Sequence, residues 1–382
     1  MKQNPLVELE ALGQSIWIDF ISRGTTASGE LQRLIEEDGV SGVTSNPSIF
    51  EKAIAESDDY EETIRSLTLE GKAAEEVYRL LTVEDIQMVA DLLRPTYDRT
   101  DGQDGFVSLE VSPKLAHDTN GTIEEARRLW SLVDRPNSMI KVPATREGLP
   151  AIQQLTGEGL NINITLLFGL PRYRQVADAY ISGLETLANQ GKNLKQVVSV
   201  ASFFLSRIDS LLDPALEKKM QAGGSDAEIA TRVHGQVATA SAKVAYKIYK
   251  EIFSNDRFQK LADKGAHTQK LLWASTSTKN PAYIDTKYID PLIGPNTINT
   301  LPIETLNAYR DHGQPKQTLE ENVHEAHQVL LDLPQIGIDL DRATQELEDQ
   351  GVGKFSSALD QLMAALQDKQ AAMQTHVRHA GR

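Results

Sequence analysis

The sequence predicts an α/β chain: a (β/α)8 barrel of the TIM type followed by additional C-terminal helices. Two observations carry this. Eight short apolar segments recur over about residues 10–315, and helical stretches with apolar residues on one face separate them. Beyond that region the pattern is helical only. A doubly wound open sheet shares the alternation, but no Gly-x-Gly-x-x-Gly or P-loop pattern follows any of the strands. The 382 residues are read as one domain, 1–382, with the barrel over about 10–315 and a helical extension over about 316–382.

In chain order, the first strand is expected over 16–20. Residues 27–37 follow as a helix with Leu31, Leu34 and Ile35 at helical spacing. The second strand, 40–46, ends at Pro47, which has no N–H for a ladder. A long helical region then runs to about residue 93, with a stripe through Val77, Leu80, Leu81, Ile86 and Val89. The third strand is 106–111, and Thr119, Asn120 and Gly121 make a turn and cap before a helix over 122–133. The fourth strand, 138–142, ends at Pro143 and precedes a short helix over 148–155. The fifth is 160–166, and Pro171 suits the first turn of a helix over 172–187. After the sixth strand, 197–203, residues 206–223 read as a helix and a polar excursion, Q-A-G-G-S-D, before a long helix over 227–253. The seventh strand is 270–275, the eighth 297–301, and the last barrel helix 305–311. The extension holds helices over 319–331, 341–348 and 356–373.

Composition narrows the function classes. The net charge of -15, with no basic block, argues against nucleic acid as a partner. Any anionic ligand must then meet a local basic pocket set against the overall field. The absence of cysteine excludes disulfides and thiolate metal sites. No apolar run approaches the roughly 18 residues of a membrane span, and the N-terminus lacks an apolar signal core. A cytoplasmic protein without a membrane partner is expected. His324 and His327, at i and i+3, read as a solvated helix face, and no metal ligands are expected in the barrel strands. The amphipathic stretches 319–331 and 356–373 either cover the barrel or mediate dimerisation, so the chain is expected as a monomer or homodimer.

Strand side chains alternate between faces. Ser108, Glu110 and Ser112 share one face of the third strand, and Asn161, Asn163 and Thr165 one face of the fifth. Trp17 and Asp19 oppose Ile16 and Ile18, and Met139 and Lys141 oppose Ile140 and Val142. Thr44 and Asn46 end the second strand, while Ser202 closes the sixth and Ser275 the seventh. In a barrel, polar residues at the C-terminal ends of the inward faces line the mouth where such folds place their chemistry. Asp19, Asn46, Glu110, Lys141, Asn163, Thr165 and Ser202 all lie toward those ends. A solvated antiparallel face alternates in the same way, but it does not explain why one Lys, one Asp, one Glu and two Asn converge.

Lys141 is the centre of this set. On an edge strand its head would lie in water. In a buried strand, desolvation favours the neutral amine, which attacks carbonyls to form Schiff bases. The iminium is an electron sink for carbon–carbon bond cleavage, with proton transfers from Glu110 and Asp19 and a water held by Thr165. Arg207, just beyond the sixth strand, suits a phosphate bidentately; its alternative role is a surface salt bridge. Two rivals stand beside this reading: a metal-dependent aldolase, and a barrel that only binds a sugar phosphate.

Four segments then become specific. G-V-T-S-N-P-S-I-F (42–50), S-M-I-K-V-P-A-T (138–145), N-I-N-I-T-L-L-F (161–168) and A-S-F-F-L-S-R-I-D (201–209) resemble the signature segments of transaldolase, in the family's order. The chain length and W-A-S-T-S-T-K-N (273–280) resemble the longer bacterial form of the family. The resemblance implies that Lys141 is the Schiff-base lysine, that Glu110 and Thr165 position the proton-shuttling water, and that Asp19 is the acid/base at the cleaved bond. It implies that Asn46 and Asn163 hold the dihydroxyacetone part with Ser202 nearby, and that Arg207 grips the sugar phosphate. Phe204 matches a position that carries Tyr in the related fructose-6-phosphate aldolases, and Phe there favours transfer over hydrolytic release. The implied reaction moves a dihydroxyacetone unit between ketose and aldose phosphates of the non-oxidative pentose phosphate pathway, with no cofactor. One departure stands out. The shorter form has an Arg two residues after the serine of the seventh strand. Here Ser277 stands two residues after Ser275, and Lys279 follows as the candidate replacement cation.

Overall fold

Eight parallel strands close on themselves in chain order. The computed structural model describes residues 4–55 and 57–380. The strands are β1 (Gln14–Ile18), β2 (Val40–Thr44), β3 (Phe106–Glu110), β4 (Ser138–Pro143), β5 (Ile162–Leu167), β6 (Ser199–Phe204), β7 (Lys270–Ala274) and β8 (Thr297–Leu301). They form a closed barrel, β8 pairing back to β1. All eight expected strands are present, displaced at most by two residues at an end, so the open sheet is excluded. Closure buries both faces: every residue of β3, β4, β5, β6 and β8 is buried.

The lower end of the barrel is filled by Trp17, whose indole N–H donates to Asp104 Oδ1 at 2.8 Å. A Cβ on Gly42 of the neighbouring strand would lie 2.3 Å from that indole, so only glycine admits the ring. Above it, register sets the site: Glu110 stands opposite Lys141, and Lys141 opposite Asn163.

Several expected helices are divided, two of them at a glycine. The helix expected over 27–37 is two, Arg23–Ala27 and Glu30–Asp38, separated at Gly29 with φ +78°. The long helical region is three helices, Pro47–Ala55, Glu61–Leu69 and Ala74–Arg99. The helix expected over 227–253 breaks at Gly235, φ +64°, into Ser225–Val233 and Val237–Phe253. The expected Q-A-G-G-S-D excursion shrinks to a two-residue link, Gly223 and Gly224, because Gln221 and Ala222 end the helix Ser206–Ala222 and Ser225 and Asp226 begin the next.

The C-terminal extension carries a larger correction. After Val323–Asp332, the segments expected at 341–348 and 356–373 are one helix, Leu340–Ala380. Gly351 and Gly353 lower its intrinsic helicity, but Gly351 is where the helix meets the barrel: a Cβ there would stand 2.8 Å from Leu166 Cδ2. The helix lies across the C-terminal end of the barrel. It packs on Pro47–Ala55, Glu61–Leu69 and Ala74–Arg99. Arg172 pairs with Glu348 at 3.3 Å and Lys114 with Asp360 at 2.6 Å. Further along, Lys369 Nζ donates to the Ile54 carbonyl at 3.2 Å and Gln370 to the Lys72 carbonyl at 3.0 Å. Leu362 and Leu366 are fully buried in the process. No helix of the described residues is long and apolar enough to cross a membrane.

Candidate active site

The polar side chains aimed into the barrel from β3, β4 and β5 meet around Lys141. Its Nζ lies 3.3 Å from Glu110 Oε2 and donates to the Ser45 carbonyl at 2.8 Å. Both charged side chains are nearly inaccessible, at 5 % and 3 % exposure. Lys141 is therefore buried among fixed partners, and the edge-strand reading falls. Burial raises the Glu110 carboxyl above the usual carboxylate range; the Lys141 charge opposes that shift and the Asp19 charge adds to it.

Asn163 is locked beneath Lys141. It donates to Ser108 Oγ at 3.0 Å and accepts from Ser202 Oγ at 2.6 Å, so one amide ties β3, β5 and β6 together. Thr165 is fully buried, and its hydroxyl makes no hydrogen bond among the described residues. It ends the regular part of β5: the next residue, Leu166, has φ +55°, and the pairing with β6 shifts register there. That irregularity lies under the C-terminal helix at Gly351.

Asp19 lies one residue past β1, where its N–H donates to the Leu301 carbonyl at 2.8 Å. Its Oδ1 accepts from Thr44 Oγ1 at 2.6 Å, and Thr44 shares a hydrogen bond with Thr300. Burial raises the Asp19 carboxyl; Lys141, the Thr44 hydrogen bond, Arg207 and Lys279 each counter that shift. Two carboxyls pushed upward on either side of one amine form an acid/base set able to hold protons above the ordinary carboxylate range.

A cavity of about 290 Å³ opens above these residues. Asp19, Asn46, Lys141, Ser202, Phe204, Arg207, Ser275 and Lys279, all expected from the sequence, line it. Glu110, Asn163 and Thr165 lie deeper, behind Lys141. Phe204 is buried, with Phe168 behind it at 5.2 Å between ring centroids. Arg207 lies over Phe204 at 5.5 Å and makes no ion pair among the described residues, so the salt-bridge alternative falls. Ser275 lies beyond the end of β7 with φ +54° and shares a hydrogen bond with Ser206 at 2.9 Å. Lys279 stands exposed at the rim, donating to Ser277 Oγ at 2.6 Å. A larger cleft of about 470 Å³, walled by Arg146, Arg172 and Glu348, contains none of the expected site residues.

Sequence reasoning missed several groups here. Lys52, Lys354 and Phe355 line the cavity. The Ser45 carbonyl that accepts from Lys141 is backbone and leaves no sequence signal. Lys52 stands in the helix after a recognised motif, a position that could have been flagged. Lys354 lies in the extension, far in sequence from every strand, where no local pattern points to the mouth. The pair His324 and His327 stands in the helix Val323–Asp332, away from the barrel, and among the described residues no group of three or more His, Asp or Glu could hold a metal ion.

The chain is similar to known proteins over nearly its whole length. The profile of the family described as Transaldolase/Fructose-6-phosphate aldolase matches residues 16–366. The chain is 46% identical over 374 residues to Transaldolase 2 of Nostoc sp., covering 97% of this chain and 98% of that one. It is 47% identical over 359 residues to a transaldolase of Thiobacillus denitrificans, covering 94% and 98%. It is 46% identical over 364 residues to a transaldolase of Frankia alni, covering 95% and 96%.

Proposed function

The chain belongs to the transaldolase/fructose-6-phosphate aldolase family, and from that premise we propose that Lys141 carries the dihydroxyacetone unit which the enzyme transfers. The reaction moves three carbons from a ketose phosphate, sedoheptulose 7-phosphate or fructose 6-phosphate, to an aldose phosphate, glyceraldehyde 3-phosphate or erythrose 4-phosphate. The observation that carries the assignment is the buried Lys141–Glu110 pair at 3.3 Å with Asp19 on the same mouth.

The amine of Lys141 adds to the C2 ketone. Glu110, with its raised proton affinity, takes the proton the amine sheds. It returns that proton through a water shared with Thr165 as the carbinolamine loses hydroxide as water. Asp19 then accepts the proton of the C4 hydroxyl as the C3–C4 bond breaks, and the electron pair flows into the iminium. The aldose phosphate leaves, and the three-carbon enamine stays on Lys141. Asn163 and Asn46 hydrogen-bond its hydroxyls, with Ser202 fixing the Asn163 amide. The acceptor aldehyde enters, and the steps run in reverse. Phe204 keeps an apolar wall beside the intermediate, which disfavours its hydrolysis. Arg207 holds the phosphate, with Ser275 and Lys279 completing the wall.

The barrel and its C-terminal helices are read as one domain, supported by the buried Leu362 and Leu366. The compartment proposed is the cytoplasm, where sugar phosphates are made and consumed, and the assembly a monomer or homodimer.

Borohydride reduction in the presence of fructose 6-phosphate, followed by mass spectrometry, tests the mechanism. A three-carbon adduct on the Lys141 peptide is expected. No adduct, or one on another lysine, would overturn the assignment. Dialysis against EDTA separates the rival electron sink, a divalent cation: turnover is expected to persist.

A further inference from the structure

The C-terminal helix delivers a cation to the mouth that no barrel motif contains. Lys354 and Phe355 line the same cavity as Asp19, Lys141 and Arg207. Phe355 is buried, and the Arg207 guanidinium lies 5.9 Å from its ring, so Arg207 is flanked by Phe204 and Phe355 and held in place. Lys52, from the helix Pro47–Ala55 that follows β2, lines the same cavity. Among the described residues neither Lys354 nor Lys52 pairs with a carboxylate.

Four cations without carboxylate partners among the described residues, Arg207, Lys52, Lys354 and, at the rim, Lys279, therefore share one cavity in a chain of net charge -15. They are close enough to repel: after desolvation, Arg207 and Lys52 are what push the Lys354 ammonium toward its neutral form. Such a cluster is destabilising when empty and is relieved by a compact dianion. Lys354 is also positioned rather than loose. Its helix is fixed six residues before by Glu348 on Arg172, six residues after by Asp360 on Lys114, and between them by Gly351 against Leu166.

We propose that Lys354, together with Lys52, forms the outer half of the phosphate grip, which makes the C-terminal helix a substrate-selecting part of the active site. The ligand is the phosphate monoester at the end of the sugar remote from the carbonyl. This rests on the reading of Lys141 as the Schiff-base lysine and Arg207 as the inner phosphate ligand. The sequence motifs account for the inner half only, and the helix supplies the rest.

The test uses the full-length enzyme with Lys354→Gln and Lys354→Arg, and inorganic phosphate as a competitive probe. Lys354→Gln is expected to raise both KM for fructose 6-phosphate and the inhibition constant for phosphate about tenfold, as losing one charge-assisted contact does. kcat should fall far less, and borohydride trapping of unphosphorylated dihydroxyacetone on Lys141 should proceed at the wild-type rate. Lys354→Arg should restore most of the phosphate affinity. An unchanged phosphate inhibition constant in Lys354→Gln would overturn the proposal, as would an equal loss of dihydroxyacetone trapping, which marks a structural defect. Failure of the wild-type enzyme to trap on Lys141 would instead count against the Schiff-base assignment, while the phosphate affinities still report on Lys354.

Discussion

Lys141 and Glu110 stand opposite one another in the register of two adjacent parallel strands, and their charged ends meet at 3.3 Å inside the barrel. Two charges taken out of water repay little stability, because desolvation offsets most of their attraction. A pair kept at such cost in the centre of a barrel is better explained by chemistry than by folding. Imine formation at the lysine must move a proton, and the carboxyl at 3.3 Å is the group we propose to receive it.

Lys141→Ala should abolish both turnover and the borohydride-trapped adduct. The fold should survive, because the carboxyl left behind already has a raised proton affinity and takes up a proton rather than remain an unpaired buried charge. Circular dichroism and a thermal melt check the fold. Residual turnover above background in a folded variant would sink the mechanism.

Glu110→Gln keeps the shape of the side chain and removes its proton exchange. Turnover is expected to fall by about 10²–10⁴, the usual worth of a positioned acid/base. Lys141 should still be trapped during long incubation, since the nucleophile is intact. Rapid-quench measurement of adduct formation distinguishes the two rates, and adduct formation at the wild-type rate would remove Glu110 from imine chemistry.

Asp19→Asn should separate activity from stability. The C4 hydroxyl then has no base, so fructose 6-phosphate cleavage should drop by about 10²–10⁴ while dihydroxyacetone is still trapped. In the wild-type enzyme kcat should rise with pH on an acid limb lying above the usual aspartate range, because Asp19 acts ionised and its pKa is raised by burial. The same shift has a stability sign. Between the ordinary aspartate pKa and the raised one, the native state holds a proton that the unfolded chain has released, so stability falls as pH rises through that window. Asp19→Asn removes this loss and should melt higher at neutral pH. Equal melting temperatures across the window would show that burial of Asp19 costs nothing.

Arg207→Ala should raise KM for phosphorylated substrates about tenfold to a hundredfold, the range for a charged hydrogen-bonded contact. Lys279→Gln should do so by much less, because Lys279 stands exposed at the rim and already donates to Ser277. Steady-state kinetics of both variants measure the ratio. An effect of Lys279→Gln as large as that of Arg207→Ala would make Lys279 the principal phosphate ligand.

Most of the barrel and its inner site could be read from the chain because the signals are local. Alternation along each strand tells which side chains face inward, so Glu110, Lys141 and Asn163 could be grouped before any pairing was known. Parallel register then set them side by side. The C-terminal helix shows where that reading stops. Two glycines within Leu340–Ala380 look like a helix break, yet Gly351 is the point of close approach to Leu166, and packing overrides propensity there.

By itself the sequence determined the fold and grouped Lys141, Glu110, Asp19 and Arg207 at one barrel mouth, since periodicity and motif order act within a few residues. Only the tertiary structure decided what surrounds them: the Ser45 carbonyl on Lys141, the Thr44 hydroxyl on Asp19, and Lys354 and Lys52 beside Arg207. These contacts join segments that no periodicity connects, and they exist only because closing the barrel and laying one long helix across its mouth bring distant parts of the chain to one cavity.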